Sequence, residues 1–341
     1  MKLPLKLNNE NDIYYNCKYC YSFQMFFNAI DGGRGIGKTT TFLIDGLHQC
    51  EKGFQFIYLR RYKSEIKEFV HKDSLFPIIE GVVYKGDGNG GYAIVYEDII
   101  LGYIIPLSTY RAYKSTSFDK VTRIIYDEAI VRQTATYRYL EDEAVSLLEF
   151  VSTVFRTRTN GKVILLGNNE DIFNPFFNFF DIPVFAKTYV DKEHGIYCEH
   201  ATHSPQLIEK EKKTGLYNLI KDTAYGKYHY DNDVLTTQEY KITPKPSTAR
   251  LICRFIFNKQ TVNVYTVNNT STPHLYFERR DKIIKDNLTY VFLEDGKVNY
   301  LYIETYRRKL KAFVYRHYFN KLVMYNDEKC GAIMQWLIDN A

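Results

Sequence analysis

Apolar and polar positions change period several times along this chain, and each change marks an element. Met25-Phe26-Phe27-Asn28-Ala29-Ile30 is a short apolar run, as expected of a strand buried on both faces. Phe54 to Arg61 alternates and then turns basic, which predicts a strand with a polar tip. Tyr84 to Pro106 carries strand-like runs broken by Gly86-Asp87-Gly88-Asn89-Gly90-Gly91, the chemistry of a hairpin turn. Ile124 to Tyr126 and Val163 to Leu166 are further buried strands, and Pro183 to Val190 and Ile196 to His200 read as two more. Helical spacing appears from Thr39 to Gly46 and again in Val145, Leu147, Leu148, Phe150, Val151 and Val154. Strands alternating with helices predict an α/β fold around a parallel sheet.

Past residue 200 the pattern shifts. Ser204-Pro205 breaks it, and Leu207 to Tyr228 is charged and helix-like with interruptions at Gly215 and Gly226. Thr243-Pro244-Lys245-Pro246-Ser247-Thr248 marks a second boundary. Leu251 to Phe257, Val262 to Val267 and Leu275 to Glu278 then read as consecutive antiparallel strands, with shorter ones at Val291 to Leu293 and Tyr300 to Ile303. Helices are expected from Thr305 to Phe319 and from Glu328 to Ile338. The expected organisation is a first domain over 1–204, a short helical linker over 205–246 and a small α+β domain over 247–341.

Composition narrows the picture modestly. The 341 residues are 45% hydrophobic, ample for packed cores in two domains or one large one. A net charge of +5 excludes a strongly basic nucleic-acid binder, so any such contact must come from local stripes. No apolar run is long enough to span a bilayer and no signal-peptide pattern opens the chain, so no membrane partner and a cytosolic setting are expected. The six cysteines lack a disulfide-framework spacing. Cys17-Lys18-Tyr19-Cys20 is a lone C-x-x-C, and zinc would need two more ligands, for which Cys198, His200 and His203 form the only local cluster.

The chemistry concentrates in one motif. Gly32-Gly33-Arg34-Gly35-Ile36-Gly37-Lys38-Thr39 reads G-x-x-x-x-G-K-T between an apolar strand and a helix. Glycines let the backbone fold tightly and aim its N–H groups at phosphate oxygens, and the helix start adds its own. Lys38 then reaches the outer phosphates, Thr39 offers a hydroxyl to Mg²⁺, and Thr40 continues the cradle, so ATP and Mg²⁺ are the expected ligands. Asp127, at the end of the Ile124–Tyr126 strand, is the candidate second magnesium residue, and Glu128 is placed to polarise an attacking water. An Asp-Glu pair that merely caps the next helix is the plainer alternative.

Asn168 ends the Val163–Leu166 strand, where it would sense the γ-phosphate or simply occupy a turn. Arg156 and Arg158 close an apolar helix pattern in Thr153-Val154-Phe155-Arg156-Thr157-Arg158. They are candidate arginine fingers, acting on the transferred phosphoryl from a neighbouring subunit, against the alternative of favourable charge at a helix C-terminus.

In order along the chain, Gly33-Arg34-Gly35-Ile36-Gly37-Lys38, Phe56-Ile57-Tyr58-Leu59-Arg60-Arg61-Tyr62-Lys63, Ile105-Pro106-Leu107-Ser108, Tyr126-Asp127-Glu128, the Thr153–Arg158 stretch and Asn174-Pro175-Phe176-Phe177 form a composite signature. It resembles the DNA-encapsidation ATPases of phi-29-like tailed phages, through the linker (Lys213-Thr214-Gly215, Leu219-Ile220, Tyr225-Gly226) and more loosely after about residue 245. The resemblance implies a P-loop ATPase of the additional-strand, catalytic-glutamate class, forming a homo-oligomeric ring, by analogy a pentamer. That ring would dock on the portal of the prohead and drive double-stranded DNA inward, with a structural packaging RNA as a further candidate partner. It implies a life in the host cytoplasm, transiently on the prohead and not in the mature virion.

The same resemblance assigns Lys38 and Thr39 to phosphate and Mg²⁺, Asp127 to the metal, Glu128 to the water and Arg156 to a finger acting in trans, with Arg158 close by. Lys63 and Arg132 lie where relatives carry basic residues of the pore or subunit interface. The C-terminal domain resembles a small RNase H-like fold related to terminase nucleases. Its first strand, Arg250 to Phe257, lacks the carboxylate such nucleases need, which implies a vestigial nuclease. Arg307-Arg308-Lys309-Leu310-Lys311 and Arg316, interleaved with Tyr306, Phe313 and Tyr315, form a basic stripe for DNA, RNA or portal, or else a solvated helix face. The rivals are a terminase-like enzyme that also cuts DNA and a non-motor ATP-dependent switch.

Overall fold

The computed structural model describes residues 2–6, 13–75, 77–131, 137–168, 174–180, 182, 188–223, 226, 241–257, 260–268, 273–294, 297–320, 322–327, 330, 331, 333, 334 and 337. The chain divides into two compact units, one of residues 1–171 and 185–235, the other of 172–184 and 236–341. The stretch read from sequence as a linker, 205–246, is shared between them.

The first unit is built on a nine-stranded sheet of order β3-β4-β5-β2-β6-β7-β1-β9-β8. The strands are β1 (Phe27–Gly32), β2 (Gln55–Arg60), β3 (Val83–Gly86), β4 (Tyr92–Tyr96), β5 (Ile99–Pro106), β6 (Val121–Ile130), β7 (Lys162–Gly167), β8 (Thr188–Asp191) and β9 (Ile196–Ala201). From β5 to β9 every pairing is parallel, and antiparallel strands finish each edge. The parallel strands are the near-continuous apolar runs, because helices cover both faces of such a sheet. In β1 every residue is buried, including Asn28, whose amide donates to the Met25 carbonyl at 3.1 Å. Since the central strands run the same way, Gly32, Arg60, Asp127 and Asn168 arrive at one edge, and β7 lies between the strands that carry Gly32 and Asp127.

The helices of this unit are α1 (Lys18–Ser22), α2 (Lys38–Glu51), α3 (Lys63–His71), α4 (Glu143–Phe155), α6 (Pro205–Glu211) and α7 (Gly215–Ile220); α5 (Pro175–Phe179) belongs to the second unit. In α2, Phe42, Leu43, Ile44 and Leu47 face the core with helical spacing. Helix α3 is absent from the sequence reading, although Glu65 marks its start by accepting from the Tyr62 backbone N–H at 2.7 Å. After β5 the chain makes a 3₁₀ turn, Leu107–Tyr113. It is anchored by buried Tyr110 and Tyr113, whose hydroxyls donate to Glu149 and Asp87. Of the strand expected over Pro183 to Val190, residues 183–187 lie outside the described residues and 188–191 form β8.

The second unit holds a six-stranded sheet of order β14-β13-β10-β11-β12-β15. Its strands are β10 (Arg250–Phe257), β11 (Gln260–Val267), β12 (His274–Arg280), β13 (Thr289–Glu294), β14 (Lys297–Val298) and β15 (Val323–Tyr325). The meander β10-β11-β12 is antiparallel, as expected, whereas β13 returns parallel to β10 and β15 parallel to β12. Phe255, Phe257, Val262, Val264, Phe277 and Phe292 present one face to α8 (Tyr300–Lys309), α9 (Lys311–Phe319) and the helical positions Cys330, Ile333, Met334 and Leu337.

Two expectations fail here. Tyr300 to Ile303 is the first turn of a helix, not a strand: Asn299 caps it by accepting from the Tyr302 N–H, and Ile303 and Tyr306 are buried at i, i+3 spacing while Leu301 is exposed. The expected helix from Thr305 to Phe319 is two helices, parted at Leu310, whose φ of −123° leaves the helical region. Among the described residues no helix is long and apolar enough to cross a membrane.

Candidate functional site

The loop after β1 is shaped by two glycines that no other residue replaces. Gly32 has φ 132°, and a Cβ there would lie 2.0 Å from the Ala201 carbonyl oxygen of neighbouring β9. Gly37 caps α2 with φ 89° and lies against Tyr14. Between them, Arg34 and Gly35 are exposed and Ile36 is buried. Lys38 is buried under the loop, and its ammonium donates to the Gly32 and Gly33 carbonyls at 2.9 and 2.6 Å and lies 3.4 Å from Asn168 Oδ1. A cavity of about 360 Å³ opens here, lined by Arg34 to Thr40 together with Asp127, Glu128 and Leu166 to Asn168. Asn168 is thus brought to the loop by β7.

Thr39 and Asp127 meet across 88 positions of sequence: the hydroxyl lies 3.0 and 3.1 Å from the two carboxylate oxygens. A hydroxyl and a buried carboxylate side by side, facing a phosphate-shaped loop, are the donor set a hard, oxygen-seeking cation takes, so the residues present fit Mg²⁺. Asp127 is also held from behind. Tyr58 donates to its Oδ2 at 2.6 Å, and burial first, then the Asp127 charge, pushes the Tyr58 phenol well above its ordinary pKa, so it stays a donor.

Glu128 stands out in its backbone. The β6–β7 register jumps from Tyr126↔Leu165 to Ile130↔Gly167, a bulge containing Asp127 and Glu128, and Glu128 has φ 51°. Its side chain is half-exposed and accepts from Arg60 at 2.5 Å. Arg60 also lies 3.4 Å from Asp127 and 3.1 Å from Glu65. Burial works against the charged form of Arg60, but Tyr58, Asp127, Glu128 and Glu65 outweigh it and hold the guanidinium above its ordinary value.

The two arginines at the end of α4 differ. Arg158 donates to four carbonyls of its own chain, those of Asp119, Val121, Phe118 and Val154, at 2.7 to 3.0 Å. That fork ties the α4–β7 turn to the segment entering β6. Arg156 is the C-cap residue of α4, exposed, with φ 50°, and does not line the cavity of its own chain. Lys63 is exposed at the start of α3, its stem against Gly90 of the hairpin turn. Arg132 lies outside the described residues.

In the second unit the cations of the basic stripe reach the surface, Lys311 being half-buried. Tyr306 is core, while Arg307, Arg308, Lys309, Phe313 and Arg316 are exposed. The cysteines are buried or half-buried, and burial pushes Cys17, Cys20, Cys50 and Cys253 up to about 12. Among the described residues no group of three or more His, Cys, Asp or Glu side chains is placed to hold a metal.

The sequence reading missed Tyr58, Arg60, Arg61, Glu65 and Glu143. Its one available signal was the pair of arginines directly after an apolar strand, which is costly unless carboxylates wait there.

The first unit is thus a mixed α/β fold in which a glycine-rich loop joins a buried strand to a helix, with Asp127 against the helix's Thr39. A sequence profile of the Podovirus DNA encapsidation protein (Gp16) family matches residues 9–339, and the chain belongs to that family. The DNA packaging protein of Bacillus phage phi29 is 27% identical over 310 residues, covering 85% of this chain and 89% of that one. That of Bacillus phage B103 is 28% identical over 293 residues, covering 84% and 88%. Among solved structures, the bacteriophage phi-29 viral genome packaging motor assembly matches with a TM-score of 0.61 at 24% identity, covering 96% of this chain and 99% of the matched one. The Phi-28 gp11 DNA packaging motor matches at 0.57 and 15% identity, covering 95% and 96%. Both likenesses are of fold, and they run through both units.

Proposed function

We propose that this chain is the ATPase of a phage DNA-packaging motor, hydrolysing ATP to drive double-stranded DNA into a preformed prohead. The observation that carries it is the convergence of Lys38, Thr39, Asp127 and Glu128 on one cavity in a member of the encapsidation family. The loop N–H groups and Lys38 bind the phosphates, Lys38 exchanging its Gly32 and Gly33 carbonyls for phosphate oxygens. Thr39 and Asp127 would hold Mg²⁺, which supplies charge neutralisation on the phosphate oxygens. Glu128 orients and deprotonates the attacking water once its carboxylate leaves Arg60.

The sheet order supports assignment to the additional-strand class, since β7 intervenes between the P-loop strand and the Asp127 strand. The second unit's order β12-β11-β10-β13, with β13 parallel to β10, supports an RNase H-like reading, and β10 carries no Asp or Glu for a nuclease metal. Nuclease activity is therefore not expected.

In this reading the chains form a ring, pentameric by analogy with relatives, and residues 205–246 link the ATPase and C-terminal domains of each chain. Arg156 reaches a neighbour's γ-phosphate, and Lys63, exposed at the start of α3, and Arg132 meet DNA phosphate or the next subunit. Phosphate contacts ignore sequence and weaken with salt, as a motor carrying any sequence requires. The ring acts in the host cytoplasm while docked on the portal, with or without a structural RNA, and is absent from the mature virion. The test is DNase protection of genomic DNA by proheads, chain and ATP. Protection that disappears with Lys38→Ala supports the reading; protection equal in that variant overturns it.

A further inference from the structure

Arg61 is fully buried, and all five of its N–H groups are spent. Nε and one terminal nitrogen form a fork on the two oxygens of Glu143, each at 2.8 Å. The same nitrogen donates to the Ala129 carbonyl at 2.8 Å, and the other donates to the Glu128 carbonyl at 3.3 Å and the Tyr137 hydroxyl at 3.1 Å. The rings of Tyr126, Tyr137 and Tyr139 stand 5.1 to 5.8 Å from the guanidinium carbon. Glu143 is equally saturated: Tyr126 donates to one oxygen at 2.6 Å and the Leu140 N–H to the other at 2.7 Å. No group of this cluster reaches the P-loop cavity.

The cluster sits under a catalytic candidate with an unusual backbone. Glu128, at φ 51°, occupies a region that non-glycine residues adopt only when their surroundings impose it. Arg61 grips the carbonyls of Glu128 and Ala129, on the outgoing side of that strained residue. Its other hand holds Glu143, the first residue of α4, whose C-cap is Arg156. β2 therefore fixes the catalytic bulge of β6 and the start of α4 through one planar group. Lysine, with three donors on a mobile stem, cannot reproduce five bonds in a plane.

We infer that Arg61 is a positioning residue for hydrolysis: through its bonds to the Glu128 and Ala129 carbonyls and to Glu143, it holds the Glu128 backbone in the conformation that aims the carboxylate at the attacking water. The inference rests on the ATPase reading above and predicts a separation of rate from binding. Misplacing a catalytic group by about an ångström costs on the order of 10²-fold in rate.

The experiment compares the full-length wild type with Arg61→Lys, Glu143→Gln and the double variant. It reads saturating ATP turnover, affinity for a fluorescent ADP analogue and melting temperature. The expected result is a fall in kcat of about 10–100-fold in each single variant, with nucleotide affinity within about threefold, and a double variant no worse than the poorer single one, because both break one unit. If Arg61→Lys does not fold, Glu143→Gln and Tyr126→Phe decide by the same criterion. Folded variants with lowered melting temperature but wild-type kcat per nucleotide-bound site would overturn the inference, leaving a merely structural ion pair. A wild type that binds nucleotide and never turns it over would instead overturn the ATPase reading on which the inference stands.

Discussion

At the scale of single residues, every charge of the site is held by a partner. The Lys38 ammonium donates to carbonyls, Glu128 pairs with Arg60, and Asp127 accepts from Tyr58 and Thr39 and lies by Arg60. Lys38→Ala removes a buried cation beneath the loop and should abolish binding of a fluorescent ATP analogue. Glu128→Gln keeps the shape and loses the base, so it should bind normally while turnover falls by roughly 10²–10³-fold. Tyr58→Phe deletes a buried hydrogen bond to Asp127, worth about 1 kcal/mol; the Mg²⁺ concentration for half-maximal turnover should rise by roughly fivefold, measured by metal titration at fixed ATP. Lys38, Thr39, Asp127 and Glu128 were legible because each motif is contiguous in sequence. Tyr58, Arg60 and Arg61 were not, because the Leu59↔Tyr126 pairing of β2 and β6 is what sets them beside Asp127 and Glu128.

Secondary-structure elements obey the same division between local and distant causes. The buried parallel strands were readable as apolar runs, and α2 and α4 as helical stripes, since burial on one or two faces writes itself into the period. Tyr300 to Ile303 misled because its aromatic and β-branched residues have strand composition; the Asn299 cap and the Ile303–Tyr306 spacing make it helical. Asn299→Ala should accordingly cost about 1 kcal/mol, read as a lower denaturant midpoint with unchanged nucleotide binding. Gly32→Ala tests the opposite end of the chain. Its methyl group would collide with the Ala201 carbonyl, so the loop must move off β9, and nucleotide affinity should fall even where the protein still folds.

For the whole molecule, two units interleave along the chain, the second taking residues 172–184 from within the first, and a solved relative shares the fold across nearly all of it. In the proposed ring the exposed Arg156, outside its own cavity, would complete a neighbour's site as a finger. Arg156→Ala and Glu128→Gln should each be inactive alone, and a mixture should regain part of the turnover, since mixed interfaces pair an intact glutamate with an intact arginine. No recovery from folded, assembled variants would count against the finger in trans. The proposed function turns on ATP chemistry at the P-loop being harnessed to DNA. Its sharpest test is steady-state ATPase of the chain docked on proheads, with and without double-stranded DNA and with Glu128→Gln as the blank. Turnover should rise when DNA is added and disappear in the variant; turnover indifferent to DNA, or undiminished by Glu128→Gln, would overturn it.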